Sequence, residues 1–168
     1  MSNNSSARGF KNYIQNGDFV KKLESWDHDS GVQSALGDHK VTYARFVKAA
    51  PVGETASLRQ TVSIQLVEPT TLTFSFKLQA VGAGERGTPI VVRIDATTKD
   101  GGNVTQDFPF TASSTFRVEN ATFKIPNNHN QTWNVNVQFF AESKETVTQA
   151  FNVTDVFLGR DEAGHIPE

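Results

Sequence analysis

Leu72-Thr73-Phe74-Ser75-Phe76-Lys77-Leu78-Gln79-Ala80 alternates apolar and polar side chains without a break. A period of two belongs to an extended strand, whose successive side chains point to opposite faces. The segment therefore predicts a strand with one buried and one polar face. The same rhythm returns downstream. Ile90, Val92, Ile94 and Ala96 alternate with Val91, Arg93 and Asp95, and Trp133, Val135, Val137, Phe139 and Ala141 alternate with Asn134, Asn136, Gln138 and Phe140. Between these runs, Asp100-Gly101-Gly102-Asn103 is a strong hairpin turn leading into Val104–Phe110. Shorter strands are expected at Val32–Leu36, at Val41–Val47, from Ala56 to Val62, at Phe116–Ile125 and at Ala150–Leu158. Eight to ten strands with frequent turn signals, and no alternation of strands with helices, argue for a sandwich or barrel and against a parallel α/β sheet.

Length and composition agree. The chain has 168 residues, enough to bury a sizeable core in one domain. Its charged fraction is 20% and its hydrophobic fraction 37%, more polar than an average globular chain, but thirteen Phe supply bulky core material. The expected organisation is a disordered arm over residues 1–9, one domain over 10–160 and a polar tail over 161–168. The formal net charge is -2, so no basic stripe exists to release counterions from a phosphate backbone, and nucleic acid is not an expected partner. There is no cysteine, which excludes disulfides and thiolate metal sites. No run approaches the length of a membrane span. Met1–Arg8 lacks the apolar stretch of a secretory signal, so the expectation is a chain cytoplasmic at synthesis or exported by a route without such a signal.

A resemblance adds to this reading. Ile14-Gln15-Asn16-Gly17-Asp18-Phe19 followed by Leu23-Glu24-Ser25-Trp26 resembles the opening of the galactose-binding-like jelly-roll carbohydrate-binding modules attached to xylanases and endoglucanases. Ser57–Val62, Leu72–Phe76, Phe123–Pro126 and Val153–Leu158 resemble their later landmarks in the same order, over roughly residues 12–159. Similar openings occur in the jelly rolls of bacterial crystal toxins. The resemblance implies an all-β, antiparallel β-sandwich of jelly-roll, galactose-binding-domain-like topology. It also implies a structural calcium, for which Asp18 and Asp155 would be ligands. The chain departs from the pattern in carrying Val20 where the family often has a calcium-binding Glu, and Phe116 where it has a Trp.

Candidate binding residues lie on the polar phase of the strands. Lys77, Gln79, Arg93, Asp95, Asn136, Gln138 and Phe140 would line one outer face if their strands are neighbours. Planar amides and charged groups can make paired hydrogen bonds to hydroxyls, and an aromatic ring can cover the C–H face of a sugar. Tyr43 with Arg45 forms a second candidate patch. Trp133 shares the phase of Val135, Val137 and Phe139, and the place of Trp26 in the resembling motif implies a Trp packed under the sandwich, so both are expected in the core. Asp27-His28-Asp29 and Asp38-His39 could offer metal ligands, but they sit in turn-like stretches where Asp serves the backbone, and they read as surface loop. His129 and His165 read as loop and tail.

Enzyme signatures are missing: no Gly-x-Ser-x-Gly elbow, no phosphate-binding Gly-rich motif and no His-Glu-x-x-His. Asp95, Asp107 or Glu142 could supply a carboxylate pair, but spacing selects none. The expected function is non-catalytic binding of a poly- or oligosaccharide through a sheet face or loop edge. The alternative is a structural or protein-interaction jelly-roll subunit of a toxin or surface assembly, with self-association or a protein partner.

Overall fold

The computed structural model describes residues 11–29, 31–46, 55–80, 89–142 and 151–160. The expected arm and tail, and the Gly82–Gly87 loop, lie outside these residues. Among them are ten strands: β1 (Asp27–His28), β2 (Val32–Leu36), β3 (Thr42–Phe46), β4 (Thr55–Leu66), β5 (Thr70–Ala80), β6 (Pro89–Thr97), β7 (Asn103–Thr111), β8 (Arg117–Ile125), β9 (Gln131–Glu142) and β10 (Phe151–Arg160). They form two antiparallel five-stranded sheets. The first has the order β1-β4-β9-β6-β7 and the second β2-β3-β10-β5-β8. No helix of the described residues is long and apolar enough to cross a membrane.

The period-two runs dictate the layering. In β5, Leu72, Phe74, Phe76 and Leu78 are buried, and Ile90, Val92 and Ile94 of β6 and Trp133, Val135, Val137 and Phe139 of β9 are buried opposite them. Aromatic rings lock the two inner faces together. Phe139 of the first sheet lies 5.9 Å from Phe74 and 5.1 Å from Phe76 of the second, and Trp26 lies 6.3 Å from Phe139. Tilted and edge-on contacts of this kind suit the ring quadrupole. Both tryptophans are in the core, and each indole N–H has a partner: Trp26 donates to the Asn16 carbonyl (3.0 Å) and Trp133 to Asn127 Oδ1 (3.0 Å).

Two stretches depart from expectation. Asp27-His28, read as a turn, forms a short strand on β4, with Asp27 opposite Arg59. Residues 11–17 do more than lead into the fold. β3 pairs with β10 only over Phe151–Val153, so the rest of that edge of β10 is unoccupied by β3. The amino-terminal segment fills it. Tyr13 N–H donates to the Leu158 carbonyl (2.8 Å), Asn12 Nδ2 to the Val156 carbonyl (3.1 Å), and Val156 N–H to the Gly17 carbonyl (3.0 Å). The Gln60 side chain of β4 then holds both backbone groups of Gln15, accepting from its N–H (2.8 Å) and donating to its carbonyl (3.0 Å). The segment thus stitches one sheet to the other, and satisfies backbone groups that would otherwise be buried without partners.

Candidate functional site

The outer face of the first sheet carries a grid of polar side chains whose rows follow from strand register. Ser57, Phe140, Val91 and Pro109 share one row across β4, β9, β6 and β7. Asp27, Arg59, Gln138, Arg93 and Asp107 share the next. Thr61, Asn136, Asp95 and Thr105 follow, then Ser63, Asn134, Thr97 and Asn103. From Thr132 to Phe140 the grid runs about 27 Å along β9, at ~3.4 Å per residue.

Hydrogen bonds within the rows set the side chains. Thr61 Oγ1 donates to Asn136 Oδ1 (3.0 Å) and Ser63 Oγ to Asn134 Oδ1 (2.9 Å). The acceptor of each amide is used inside the sheet, and its NH2 donors have no partner among the described residues. Thr105 Oγ1 donates to Asp95 Oδ1 (2.6 Å). Arg93 makes two hydrogen bonds to Asp107, of 2.7 and 3.1 Å. This fork-to-carboxylate pairing, chiefly through its hydrogen bonds, holds the Asp107 carboxyl below its ordinary range and the Arg93 guanidinium above its own. The same guanidinium lies 5.2 Å from the centre of the Phe140 ring, a cation–π distance. Phe140 is half-buried on the outer phase of β9, with the guanidinium over its ring.

Of the expected residues, Arg93, Asp95, Asn136, Gln138 and Phe140 come together here. Lys77 and Gln79 do not. They sit on β5, which belongs to the other sheet although β5 and β6 are consecutive in the chain, so they lie on the opposite outer side of the sandwich. There Gln79 joins Tyr43 and Arg45 in a hydrogen-bonded network. Arg45 Nε donates to Asn152 Oδ1 (3.0 Å), Asn152 Nδ2 to Gln79 Oε1 (2.9 Å) and Gln79 Nε2 to the Ser114 carbonyl (3.1 Å). Tyr43 is buried, with Phe116 at 5.9 Å and Arg45 over its ring, and so offers no stacking platform. Lys77 pairs with Asp155 at 3.1 Å. Contributors to the first-sheet face outside the expected binding set include Arg59, Thr61, Ser63, Asn134, Thr105 and Asp107. Thr105 was within reach, because a hairpin turn centred on Asp100 places it opposite Asp95. The β4–β9 pairs carry no local signal.

The residues present do not fit the calcium that the resemblance implies. Such an ion takes six to eight oxygens, carboxylates prominent among them. Among the described residues no three His, Cys, Asp or Glu side chains converge. Asp155 is held by Lys77, and Asp18 Oδ1 accepts the Val20 N–H (3.2 Å). Hydroxyls serve the nearby carbonyls: Thr42 Oγ1 donates to the Asp18 carbonyl (2.7 Å) and Thr154 Oγ1 to the Thr42 carbonyl (2.7 Å).

Comparison with solved structures decides the fold. A family 16 carbohydrate-binding module superposes with a TM-score of 0.63, covering 88% of this chain and 99% of its own at 16% identity. The fold is a jelly-roll β-sandwich. A family 11 module from Clostridium thermocellum, solved with a β-1,3-1,4-mixed-linked tetrasaccharide, has the same jelly roll at a TM-score of 0.58, 13% identity and coverage of 88% and 94%. The enzymatically active domain of bacteriophage CBA120 tailspike protein 4 contains it as well, at a TM-score of 0.64 and 15% identity, covering 89% of this chain but 21% of that one. No family model and no curated protein matches the jelly roll's sequence.

Proposed function

We propose that the protein is a non-catalytic carbohydrate-binding module that holds a poly- or oligosaccharide on the outer face of its first sheet. One observation carries this reading: an ordered amide and hydroxyl grid lies beside an aromatic ring, Phe140, held in place by Arg93. Fixed NH2 donors and carboxylate acceptors match sugar hydroxyls, and the ring supplies cover for a sugar's C–H face. The neighbouring modules that carry sugars in their structures support it by analogy of fold, which alone does not dictate function. The carboxylates of the grid are engaged. Asp107 is tied to Arg93 and Asp95 accepts from Thr105, which suits binding rather than proton transfer.

The test is isothermal titration against a panel of soluble polysaccharides with wild type and Phe140→Ala. Wild type is expected to bind at least one glycan class, and the substitution to weaken it roughly tenfold, the scale of an aromatic contact. The circular dichroism spectrum should stay the same, since the ring faces outward. An unchanged isotherm would remove the site. A blank panel, with self-association on a sizing column, would favour the assembly-subunit alternative.

A further inference from the structure

A cleft of about 500 Å³ opens beside β4, where Thr61 and Ser63 meet Lys11, Tyr13 and Ser25. It adjoins the polar grid directly, because Thr61 and Ser63 also bond Asn136 and Asn134. β1 reaches only as far as Arg59 along this edge, which leaves the stretch from Gln60 open to the cleft. The far wall is fixed in place by the Tyr13–Leu158 and Gln15–Gln60 hydrogen bonds, so the cleft is preformed.

Its charge differs from that of the grid. On the grid each guanidinium has a carboxylate partner: Arg59 has Asp27 and Arg93 has Asp107. Among the described residues no acidic side chain lines the cleft and none pairs with Lys11, whose ammonium lies 5.4 Å from the centre of the Tyr13 ring. One uncompensated cation, an aromatic ring, and hydroxyl and amide groups around them are complementary to a polyol ring that bears a negative charge.

We propose that this cleft is a subsite for an anionic sugar unit, a carboxylate or sulfate-ester sugar, of a glycan lying on the first-sheet face. The proposal rests on the carbohydrate-binding reading. The test is titration with two matched pairs: oligogalacturonate against its methyl ester, and a sulfated oligosaccharide against its desulfated form. At least one anionic member should bind about three- to tenfold tighter than its neutral partner, the range of a charge-assisted contact near the surface. Added salt should narrow the gap. Lys11→Met keeps the side-chain stem over Tyr13 and removes the charge, so it should erase the preference between the two members of a pair. Whichever pair shows the effect names the anion. Equal affinities within both pairs, or a preference that survives Lys11→Met, would overturn the subsite while leaving the sheet-face reading intact. If Phe140→Ala changes nothing while Lys11→Met still erases the preference, the face fails and the subsite stands. No binding by wild type in any arm would overturn both.

Discussion

Arg93 is positioned by an aromatic ring on one side and a carboxylate on the other, and the pair has a pH signature. Its partner Asp107 has a carboxyl held below the ordinary value of 3.8 by the guanidinium. A carboxyl depressed on folding contributes stability above its unfolded pKa, and loses that contribution as pH falls through the folded one. Thermal midpoints of wild type and Asp107→Asn should therefore differ at neutral pH and converge as the solution is acidified below pH about 4. Because both side chains are exposed, the difference should also shrink in high salt. A gap that persisted unchanged into strong acid would show that the pair is held by something other than this charge. Phe140 stands out in the sequence as an apolar residue in a polar phase. The Arg93–Asp107 pair does not stand out, although the Asp100–Asn103 turn fixes its register, because periodicity reports a face without its cross-strand partners.

At the scale of elements, the strands were legible and their neighbours were not. Leu72–Ala80, Ile90–Ala96 and Trp133–Phe139 announce themselves because burial on one side imposes alternation locally. Nothing local states that β5 and β6, adjacent in the chain, belong to different sheets, and so Lys77 and Gln79 could be placed beside Arg93 when they lie across the sandwich from it. The stitching segment was hidden for a related reason. Its partners on β10 are some 140 residues away, and its own sequence has no alternation. Gly17 is its tightest point: a Cβ there would come within 2.3 Å of the Val156 carbonyl oxygen. Gly17→Ala must push β10 or the segment outward, and should cost about 1–3 kcal/mol in urea denaturation. A neutral substitution would mean that the seam is looser than its hydrogen bonds indicate.

For the whole molecule, two sides of one sandwich serve different ends. The first sheet presents an open polar grid, while the second buries Tyr43 and Asn152 on its outer side in a network of its own. The Lys77–Asp155 pair and the threonine hydroxyls near Asp18 take up groups that a metal would need, so integrity should not depend on calcium. A chelator is expected to leave the thermal midpoint unmoved. An ion bound at a hundred times its dissociation constant would instead make the midpoint fall by about 5–10 °C on chelation. The seam between residues 11–17 and β10 also bears on how the molecule comes to exist. β10 lies between β3 and β5 and accepts the amino-terminal segment along its remaining edge. On a ribosome, everything made before Phe151 therefore waits with two strand edges bare and its first segment unsheltered. Such non-local closure is slow and exposes the nascent chain to wrong partners. The burden of keeping the unfinished molecule soluble falls on its many Thr, Asn and Gln side chains until the last strand arrives.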